Sequence, residues 1–405
     1  MQKIIVQGGG LAGRTFARSL SAKNNNFQII VLDSKEHSEH ISDRGIGLWP
    51  NAINALHAIN LHLHGHTYQN APAAYRNNDG IWLSKCSKAV AENIPVYTFQ
   101  ENTLLKLLEQ TKDSNEIEYK YNATVNTISE NIDQDGIIVT LDNGETIQGD
   151  LCVVASGSQQ SSTWYDSVSG IVMSPMSISN KENITQSTTT TMQEPYVTAF
   201  SNSICDTPSE TLISKGRRIA VVPLSPVSFF WFVSYPKNEN IQDIQSELNT
   251  IETLQTHLPM KEIIQASDPS SLVIRRTYLK DQHTESLSSK YSKSARIILI
   301  GDAAHSMPNN LAQGGSVAIE DGYLLGQMME IDNIANVKQL FATKRKARIL
   351  KCQQMNLATQ IISDYPNVAN LMQYVPMAIN SFIFDVALKY SLGGGKELER
   401  VVEKL

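Results

Sequence analysis

An apolar run opens directly into glycines near the start of the chain, in the sequence Lys3-Ile4-Ile5-Val6-Gln7-Gly8-Gly9-Gly10-Leu11-Ala12-Gly13. Residues 8–13 fit the pattern GxGxxG, and apolar residues at helical spacing follow them. In such a strand-to-helix turn Gly8 permits the tight turn, Gly10 lets the backbone approach a pyrophosphate, and Gly13 lets the helix pack closely on the strand. The pattern therefore predicts a dinucleotide-binding turn.

The helix and strand that follow extend this prediction. Leu11 and Ala12 begin the helix, so their free backbone N–H groups are predicted to face the pyrophosphate. Asp33 closes the strand Gln28 to Leu32, 20 residues after the last glycine of the pattern. A carboxylate there accepts hydrogen bonds from a ribose diol, and Ser34 beside it is assigned to the same site. A glycine-rich turn with a solvated aspartate is the alternative, and the turn alone leaves NAD and FAD equally open.

Composition and charge exclude several classes of protein. Of the 405 residues, 41% are hydrophobic and 18% are charged, which suffices for a sizeable core and argues against long-range disorder. The net charge of −6 lacks the electrostatic footprint of a nucleic-acid-binding protein. The four cysteines have no CxxC spacing, no signal peptide is apparent, and the apolar run Val375 to Leu388 is too short to span a bilayer. We expect a cytoplasmic protein without a nucleic-acid partner or an integral membrane segment.

The texture of the sequence changes along the chain. Strands and helices alternate at first, short β runs dominate from about 170 to 276, and the chain is mostly helical from Ser316 onward. This order predicts an α/β fold with a Rossmann-like dinucleotide domain, an inserted, mainly antiparallel β-sheet domain for the substrate, and a C-terminal helical region. The predicted boundaries are 1–70, 100–165 and 290–335 for the discontinuous dinucleotide domain, 71–99 and 166–289 for the substrate domain, and 336–405 for the C-terminal helices.

A second glycine-containing turn, Gly301-Asp302-Ala303-Ala304-His305, follows a predicted strand at Ala295 to Ile300. A dehydrogenase that binds NAD does not need this second turn, whereas a protein that binds the longer flavin dinucleotide does. Asp302 is placed to bind the ribityl chain. The turn Gly314-Gly315-Ser316 can bring backbone N–H groups to the pyrimidine edge of the isoalloxazine ring, where the dipole of the next helix stabilises negative charge. The two turns together predict FAD, bound non-covalently because no His or Cys is placed to tether it.

These segments together resemble the flavin-dependent aromatic hydroxylases, which are the single-component FAD monooxygenases, and they are most similar to the salicylate hydroxylase and urate hydroxylase branch. The resemblance spans most of the chain, with its segments in the right order, whereas residues from about 166 to 280 match only in their general pattern of short β runs. It is carried by Gly8 to Gly13, Asp33, Arg44 to Ala52, Gly149 to Gly157, Gly301 to His305, Leu311 to Asp321 and Phe341 to Arg348.

The resemblance implies a hydroxylation cycle. NADPH or NADH reduces FAD, the reduced flavin captures O2 as a C4a-hydroperoxide, and this species hydroxylates or epoxidises a small aromatic or polyketide-like substrate. Carried over by residue, Arg44 lies beside the flavin as a catalytic residue, Gln100 contacts the FAD phosphates, and the backbone of Val125 contacts the adenine. Pro308 is assigned to the reaction site near the flavin C4a, although the family has its proline one residue later, where this chain has Asn309.

One position departs from the family's pattern. Most members have an Asp-Gly pair after the strand that ends near Ala155, and this chain has Ser156-Gly157. In the family that aspartate is linked to binding of FAD and of the nicotinamide cofactor, so its loss questions direct reduction by NAD(P)H. Four alternatives follow: a serine that serves in its place, a separate flavin reductase, oxidation or cyclisation without oxygen insertion, or flavin binding without turnover.

The predicted substrate sheet offers candidates for contact with the substrate. Phe229 and Trp231 share one face of a predicted strand, which fits either core packing or a wall of the substrate pocket. Tyr196 and Arg218 are further candidates. Six of the nine histidines lie between 37 and 66, but no Asp, Glu or Cys adjoins their alternating run, so we expect no metal site.

Overall fold

The structure is a computed structural model of the chain. The residues that it describes are 2–22, 27–36, 44–63, 65–72, 74–110, 117–131, 136–158, 164–173, 209–213, 216–226, 228–236, 238–279, 294–308, 310–329, 334–364 and 371–392. One of the short β runs predicted between about 170 and 276, Tyr196 to Phe200, lies outside these residues.

Strands and helices follow one another in the order that the sequence predicts. The strands are β1 (Gln2–Gln7), β2 (Phe27–Leu32), β3 (Gly45–Leu48), β4 (Tyr68–Asn70), β5 (Ala74–Arg76), β6 (Trp82–Ser84), β7 (Val96–Gln100), β8 (Ile117–Lys120), β9 (Val125–Asn131), β10 (Gly136–Leu141), β11 (Thr146–Gly149), β12 (Leu151–Val154), β13 (Trp164–Met173), β14 (Ser209–Leu212), β15 (Arg218–Ser225), β16 (Ser228–Ser234), β17 (Val273–Tyr278) and β18 (Ile297–Leu299). The helices are α1 (Leu11–Ser21), α2 (Pro50–Ala58), α3 (Lys88–Asn93), α4 (Glu101–Glu109), α5 (Ile244–Glu252), α6 (Met260–Gln265), α7 (Asp302–His305), α8 (Gly314–Met328), α9 (Ile334–Asp364) and α10 (Met377–Leu392).

A parallel sheet of five strands, in the order β18-β12-β1-β2-β8, forms the dinucleotide half of the molecule. Strand β1 is central, so its Val6 lies opposite Val153 on β12 and Val31 on β2. A parallel sheet is covered on both faces, which explains why Leu151–Val154 is an unbroken buried apolar run. The carboxyl ends of its strands meet at one edge, and such sheets bind their ligands there.

Helix α8 packs directly on α1 because two glycines leave no side chain between them. A Cβ on Gly322 would lie 2.5 Å from the carbonyl oxygen of Ala12, and a Cβ on Gly326 would lie 2.6 Å from Ser19. The hydroxyl of Ser19 also donates to the carbonyl of Tyr323 at 3.0 Å. The two helices run in the same direction, so the N-terminus of α8 lies near that of α1.

A second, seven-stranded sheet has the order β17-β13-β16-β15-β14-β5-β6. Its neighbours are antiparallel except for β14 and β5, which are parallel. One face packs against α5 and α6 in an apolar cluster that contains Trp231, Ile251 and Ile263. The opposite face is turned toward the dinucleotide half, since a Cβ on Gly45 would lie 2.5 Å from Phe230. Two three-stranded sheets, β3-β7-β4 and β11-β10-β9, complete the described strands.

The C-terminal helices close the molecule. Helix α9 packs on α8, and α10 lies against β6. Among the described residues, no helix combines the length and the apolar character that crossing a bilayer requires. The predicted fold class, a mixed α/β fold with a parallel sheet, an inserted antiparallel sheet and a helical C-terminus, is confirmed.

Two local sequence patterns have different outcomes: the pair Asn143-Gly144 predicts a hairpin turn, and the helical pattern over Ile241 to His257 predicts one helix. The hairpin predicted at Asn143-Gly144 is present, with a φ of 86° at Gly144 between β10 and β11. The single helix predicted at Ile241 to His257 is wrong in extent, because the structure has α5 and then the separate α6. Asp243 fixes the start of α5 by accepting a hydrogen bond from the Ser246 N–H at 2.7 Å.

Candidate cofactor site

The first turn is shaped by backbone contacts that only glycine permits. Gly8 has a φ of 107°, and a Cβ there would collide with the carbonyl oxygen of Ala155. Its N–H donates to the carbonyl of Leu32 at 2.8 Å. A Cβ on Gly13 would collide with the carbonyl oxygen of Gly8. The turn is therefore held tightly against the parallel sheet.

The outer side of the same turn is open. A Cβ on Gly10 would meet no atom within 4 Å. Helix α1 begins at Leu11 with no side-chain cap and with no acidic residue in its first turn. Its free N–H groups and positive dipole end thus face open space, which fits the pyrophosphate of a dinucleotide. The structure places Gly8, Gly10, Leu11, Ala12 and Gly13 as the sequence predicts for such a turn.

The carboxylate of Asp33 lies against this turn. A Cβ on Gly9 would collide with Oδ2 of Asp33, so glycine at position 9 lets the carboxylate approach the backbone. Oδ1 accepts a hydrogen bond from the Lys35 N–H at 3.1 Å. Ser34 follows and is exposed. The pattern GxGxxG leaves its second position free, so sequence reasoning missed the role of Gly9.

The second turn reaches the same edge of the sheet. Gly301 has a φ of 60°, and a Cβ there would lie 3.0 Å from the Cβ of Ala12. Asp302 begins α7, and its Oδ1 lies 3.9 Å from the Cβ position of Gly314. A Cβ on Gly315 would lie 3.4 Å from Cδ1 of Leu11. Two turns that are about 290 residues apart in the chain thus form one site.

Burial and charge set the protonation of Asp302. Burial raises the pKa of its carboxyl group, and the positive charges of His305 and Arg44 oppose that shift. The carboxylate faces the turn at Gly314, where a polyol hydroxyl could donate to it. This geometry fits the ribityl chain predicted for Asp302.

A buried charge network supports the second turn from behind. Asp321 accepts hydrogen bonds from Nε2 of His305 at 2.5 Å, from Nε of Arg345 at 2.6 Å and from the Gly301 N–H at 2.8 Å. Burial alone would raise the pKa of Asp321, but the charges of His305 and Arg345 lower it to about 2. The network fixes the backbone of Gly301 and places His305 in a structural role.

The neighbouring carboxylate, Glu320, binds a second part of α9. It pairs with Nη2 of Arg345 at 2.7 Å and with Nη2 of Arg348 at 3.1 Å, and it accepts a hydrogen bond from Asn51. Burial alone would raise the pKa of Glu320, but the two arginines lower it. The resemblance pointed to Arg345 and Arg348, but the sequence did not show which carboxylates they bind.

The loop before α8 is held by the same helix. Ala312 has a φ of 48°, a left-handed conformation that is strained for alanine. Oδ1 of Asn356 accepts from the Leu311 N–H at 3.3 Å, and Nε1 of Trp49 donates to the Leu311 carbonyl at 3.0 Å. The hydroxyl of Ser316 accepts a hydrogen bond from the Trp49 N–H at 3.1 Å. Ser316 thus anchors the start of α8.

Arg44 lies on the side of the site that faces the seven-stranded sheet. Its guanidinium binds Glu101 through two contacts, Nε to Oε2 at 2.5 Å and Nη2 to Oε1 at 2.6 Å. Gln100 pairs with Gly45, the residue next to Arg44. The structure therefore brings Arg44 and Gln100 together, and Glu101 is a site residue that sequence reasoning missed.

Val125 and Ser156 flank the first turn. Val125 begins β9, and the nearby Ala123 N–H donates to the Asp33 carbonyl at 2.8 Å. Ser156 follows β12 and is exposed, and its Cα would lie 3.1 Å from a Cβ on Gly8. Ser156 thus lies against the backbone of the first turn, and the contact of Val125 with the adenine stays a prediction.

The aromatic substrate candidates do not join the site. Phe229 and Trp231 pack in the cluster under α5 and α6, and Nε1 of Trp231 donates to Ser267 at 2.8 Å. The alternation of the strand instead turns Phe230 and Phe232 toward the dinucleotide half. Tyr196 lies outside the described residues.

Arg218, by contrast, lines a small cleft between the seven-stranded sheet and the loop before α8. Pro308 and Asn310 form the wall on the loop side, while Asn309 lies outside the described residues. Arg218 is buried and binds the buried carboxylate of Glu210 at 2.6 Å. The cleft is polar, and Pro308 in its wall follows α7 by three residues. Within the described ranges, no cluster of His, Cys, Asp and Glu could hold a metal ion.

Known proteins resemble this chain at two levels. The sequence pattern of the family described as "FAD binding domain" matches residues 1–331. The aurachin C monooxygenase/isomerase of Stigmatella aurantiaca is 25% identical over 349 residues, which cover 81% of this chain and 81% of that enzyme. The 2-heptyl-3-hydroxy-4(1H)-quinolone synthase of Pseudomonas aeruginosa is 30% identical over 134 residues, which cover 33% of this chain and 35% of the synthase, or about a third of its length.

Solved structures share the fold. HpxO of Klebsiella pneumoniae, in complex with FAD and uric acid, superposes with a TM-score of 0.68 at 19% identity and covers 92% of each chain. A salicylate hydroxylase substrate complex gives a TM-score of 0.67 at 16% identity and covers 98% of this chain and 97% of its own. The two turns, the shared edge of the parallel sheet and the match over residues 1–331 lead to one conclusion: the chain belongs to the FAD binding domain family, and FAD-dependent monooxygenases are among its relatives.

Proposed function

We propose that this protein is a monooxygenase that uses NADPH or NADH and O2 to hydroxylate or epoxidise a small aromatic or polyketide-like compound. The observation that carries the proposal is the meeting of the two turns, Gly8 to Gly13 and Gly301 to Ser316, beside the enclosed cleft lined by Arg218 and Pro308. One turn alone would serve any dinucleotide, whereas the pair with an adjoining cleft suits a flavin that reacts with a second, small molecule.

The chain's own residues would bind and orient the cofactor. The N–H groups at the start of α1 would bind the pyrophosphate, Asp33 would accept from the ribose, and Asp302 would accept from the ribityl chain. The N–H groups of Gly314 and Gly315 lie at the start of α8, where the helix dipole favours negative charge. When bound, FAD supplies the electron transfer and the activation of O2.

The cleft would position the substrate and exclude water. Phe230 and Phe232 form an apolar surface, with ring centroids 5.8 Å apart. The buried loop residue Pro308 closes the cleft from the other side. An enclosed site of this kind limits the access of water to reactive species and holds the substrate at a fixed distance. Arg44 can move toward an incoming group only if its guanidinium breaks its two contacts with Glu101.

The substrate class that we favour is a bicyclic heteroaromatic compound of the quinolone type. Its support is the relationship to a quinolone synthase together with the polar cleft, which offers hydroxyl and guanidinium groups, and with the apolar surface of Phe230 and Phe232 on the same face of the sheet. Quinolones present the matching combination of a flat apolar ring system and a carbonyl with an N–H group.

A second candidate is a monooxygenase that depends on a separate flavin reductase. The observation in its favour is Ser156, which is exposed at the end of β12 where a carboxylate is expected in the family. Oxidation or cyclisation without oxygen insertion is distinguished from both by its product.

The test is made on the purified protein with bound FAD. A flavin absorption spectrum, followed by NAD(P)H consumption that a quinolone stimulates and by one atom of 18O from O2 in the product, is the expected result. Hydrogen peroxide with a dehydrogenated product would replace the proposal by an oxidase. Turnover only after addition of a flavin reductase would favour the second candidate.

A further inference from the structure

One row of side chains across the seven-stranded sheet is polar. On neighbouring strands Arg218 lies opposite Ser234, Ser234 opposite Ser167, and Ser167 opposite Arg275. Residues directly opposite in antiparallel strands point to the same face, with Cβ atoms about 5 Å apart. The next row on this face contains Phe232, opposite Ala220. The sheet thus offers a polar band beside an apolar surface, and Arg218, Ser234 and Ser167 of that band line the cleft.

A buried hydroxyl in this band lacks a partner. Ser234 is only 7% exposed, and within the described part of the chain its Oγ makes no hydrogen bond. Ser169 lies on the same face and is 3% exposed, and its Oγ likewise makes no hydrogen bond to the described residues. Buried polar groups in folded proteins are nearly always hydrogen-bonded, so these hydroxyls point to a polar ligand.

The charge of Arg218 is matched inside the protein. Its Nη1 donates to Oε2 of Glu210 at 2.6 Å, and both side chains are less than a tenth exposed. Among the described residues, Glu210 is the hydrogen-bond partner of this guanidinium. Its Nε and its Nη2 therefore remain available as donors. Arg218 can donate to a ligand, but its positive charge is already balanced.

A similar balance holds around Arg44. Arg44 is bound by Glu101, and the charge of Arg275 also acts on Glu101. Asp302 adds a further carboxyl group within reach of Arg44. In the wall of the cleft itself, Asp166 pairs with Arg276 at 2.7 Å as Glu210 pairs with Arg218, so the cleft has no surplus positive charge for an anion.

We infer that Glu210 is a specificity-determining residue, which makes the cleft select neutral heteroaromatic substrates with a carbonyl or N–H edge and reject those that carry a carboxylate. This inference rests on the proposed function and deepens it. A neutral carbonyl can accept from Arg218 and Ser234 while Glu210 stays in place. A carboxylate would have to lie beside Glu210 or displace it, and like charges brought together in an enclosed site are strongly unfavourable.

The test compares two ligands of the same shape with the FAD-loaded protein: 2-methyl-4(1H)-quinolone, which is neutral, and the corresponding 2-carboxylate. Ligand binding is followed by the change in flavin absorption. The wild type is expected to bind the neutral compound at least about tenfold more tightly. Glu210→Gln is expected to tighten the carboxylate about tenfold and to change the Kd of the neutral compound by less than about threefold.

Glu239→Gln is the matched control. Glu239 pairs at 2.9 Å with Arg217, the neighbour of Arg218 in sequence, and neither residue lines the cleft. This variant is expected to keep the wild-type preference. The double variant Arg218→Gln/Glu210→Gln keeps the charge balance, so it is also expected to prefer the neutral compound and covers the case in which the single variant does not fold.

Two results would overturn the inference and leave the proposed function standing: equal affinity of the wild type for both ligands, or an unchanged preference in Glu210→Gln. A normal flavin spectrum that neither ligand perturbs in any variant would overturn the inference together with the proposed substrate cleft. Absence of bound FAD would contradict the proposed function itself, and it is read from the spectrum before any ligand is added.

Discussion

The two turns of the cofactor site do the same task by different means. At the first turn, most contacts join backbone atoms: the Gly8 N–H donates to the carbonyl of Leu32, Gly13 lies against Gly8, and the side chain of Arg14 adds one hydrogen bond to the Gly9 carbonyl at 2.6 Å. At the second turn, the N–H of Gly301 is held by a side chain, Asp321, which is itself fixed by Arg345 from another helix. The first turn therefore depends on glycine at the positions where a side chain would collide with the backbone, and the second turn depends on a buried charge network.

The largest expected effect is on the charge network. Asp321→Asn removes the buried carboxylate that binds His305, Arg345 and the Gly301 N–H, and it leaves Glu320 as the remaining carboxylate partner of Arg345. We expect the free energy of unfolding of the apoprotein to fall by about 3–5 kcal/mol. Urea denaturation followed by circular dichroism measures this change.

A pH series tests the same carboxylate. The pKa of Asp321 is lowered to about 2 in the folded protein, below its ordinary value of 3.8. The stability that it contributes is therefore present above pH 4 and is lost as the pH falls from about 4 toward 2. Asp321→Asn should lose less stability than the wild type over that window. Asp385→Asn is the control, since this buried carboxylate accepts a hydrogen bond from the backbone N–H of Ser87 at 3.0 Å. If both variants lose the same stability between pH 4 and pH 2, the special role of Asp321 at the second turn is contradicted.

The next effect separates two glycines of the first turn. Gly13→Ala forces a methyl group against the carbonyl of Gly8, and it should destabilise the apoprotein by about 1–3 kcal/mol. Gly10→Ala meets no protein atom, so it should leave stability within about 0.5 kcal/mol and weaken FAD binding, because the methyl group occupies the space of the pyrophosphate. Thermal unfolding and FAD titration measure the two quantities. FAD affinity unchanged in Gly10→Ala would show that the pyrophosphate lies elsewhere.

Asp302 tests the second turn on the ligand side. Asp302→Ala removes one charge-assisted hydrogen bond to the cofactor, so FAD binding should weaken by about 1.5–3 kcal/mol while the fold remains. The FAD dissociation constant is obtained by fluorescence titration, with circular dichroism as the check on folding. An unchanged affinity would exclude Asp302 as a ligand of the ribityl chain.

The smallest effect is expected at Ser156, which adjoins the first turn. If the missing carboxylate orients the groups that receive the nicotinamide, Ser156→Asp should speed reduction of FAD by NAD(P)H about tenfold, since a misplacement of about 1 Å can cost on the order of 100-fold. Stopped-flow reduction with and without a quinolone gives the rate. Fast reduction of the wild type that aspartate does not improve would refute this role, and slow reduction of both would favour a separate reductase.

The difference between the turns also explains what could be predicted from sequence. The first turn is local, so the spacing of Gly8, Gly10, Gly13 and Asp33 was enough to predict it, and the pair Gly301-Asp302 after a predicted strand indicated the second turn. The partners of the second turn lie far apart in the chain. Neither composition nor spacing shows that Asp321 binds His305 and Arg345, or that Glu101 binds Arg44.

The substrate side was predicted least well for a related reason. In an alternating strand, neighbouring aromatic residues point to opposite faces, and only tertiary packing decides which face meets the cofactor. Phe229 and Trp231 were the candidates for contact with the substrate, whereas Phe230 and Phe232 lie on the face of the sheet that is turned toward the dinucleotide half. Glu210 gave no signal at all, because its importance comes from the ion pair with Arg218.

Helix α9 lies beyond the end of the family pattern, but it is part of the folded unit that supports the cofactor site. The family pattern ends at residue 331, yet Arg345, Arg348 and Asn356 beyond it hold the second turn and the loop at Leu311. A shortened protein cut at that boundary would leave Glu320 and Asp321 as buried carboxylates without their arginines. Chimeras that exchange substrate sheets between relatives should therefore carry α8 and α9 from the same parent.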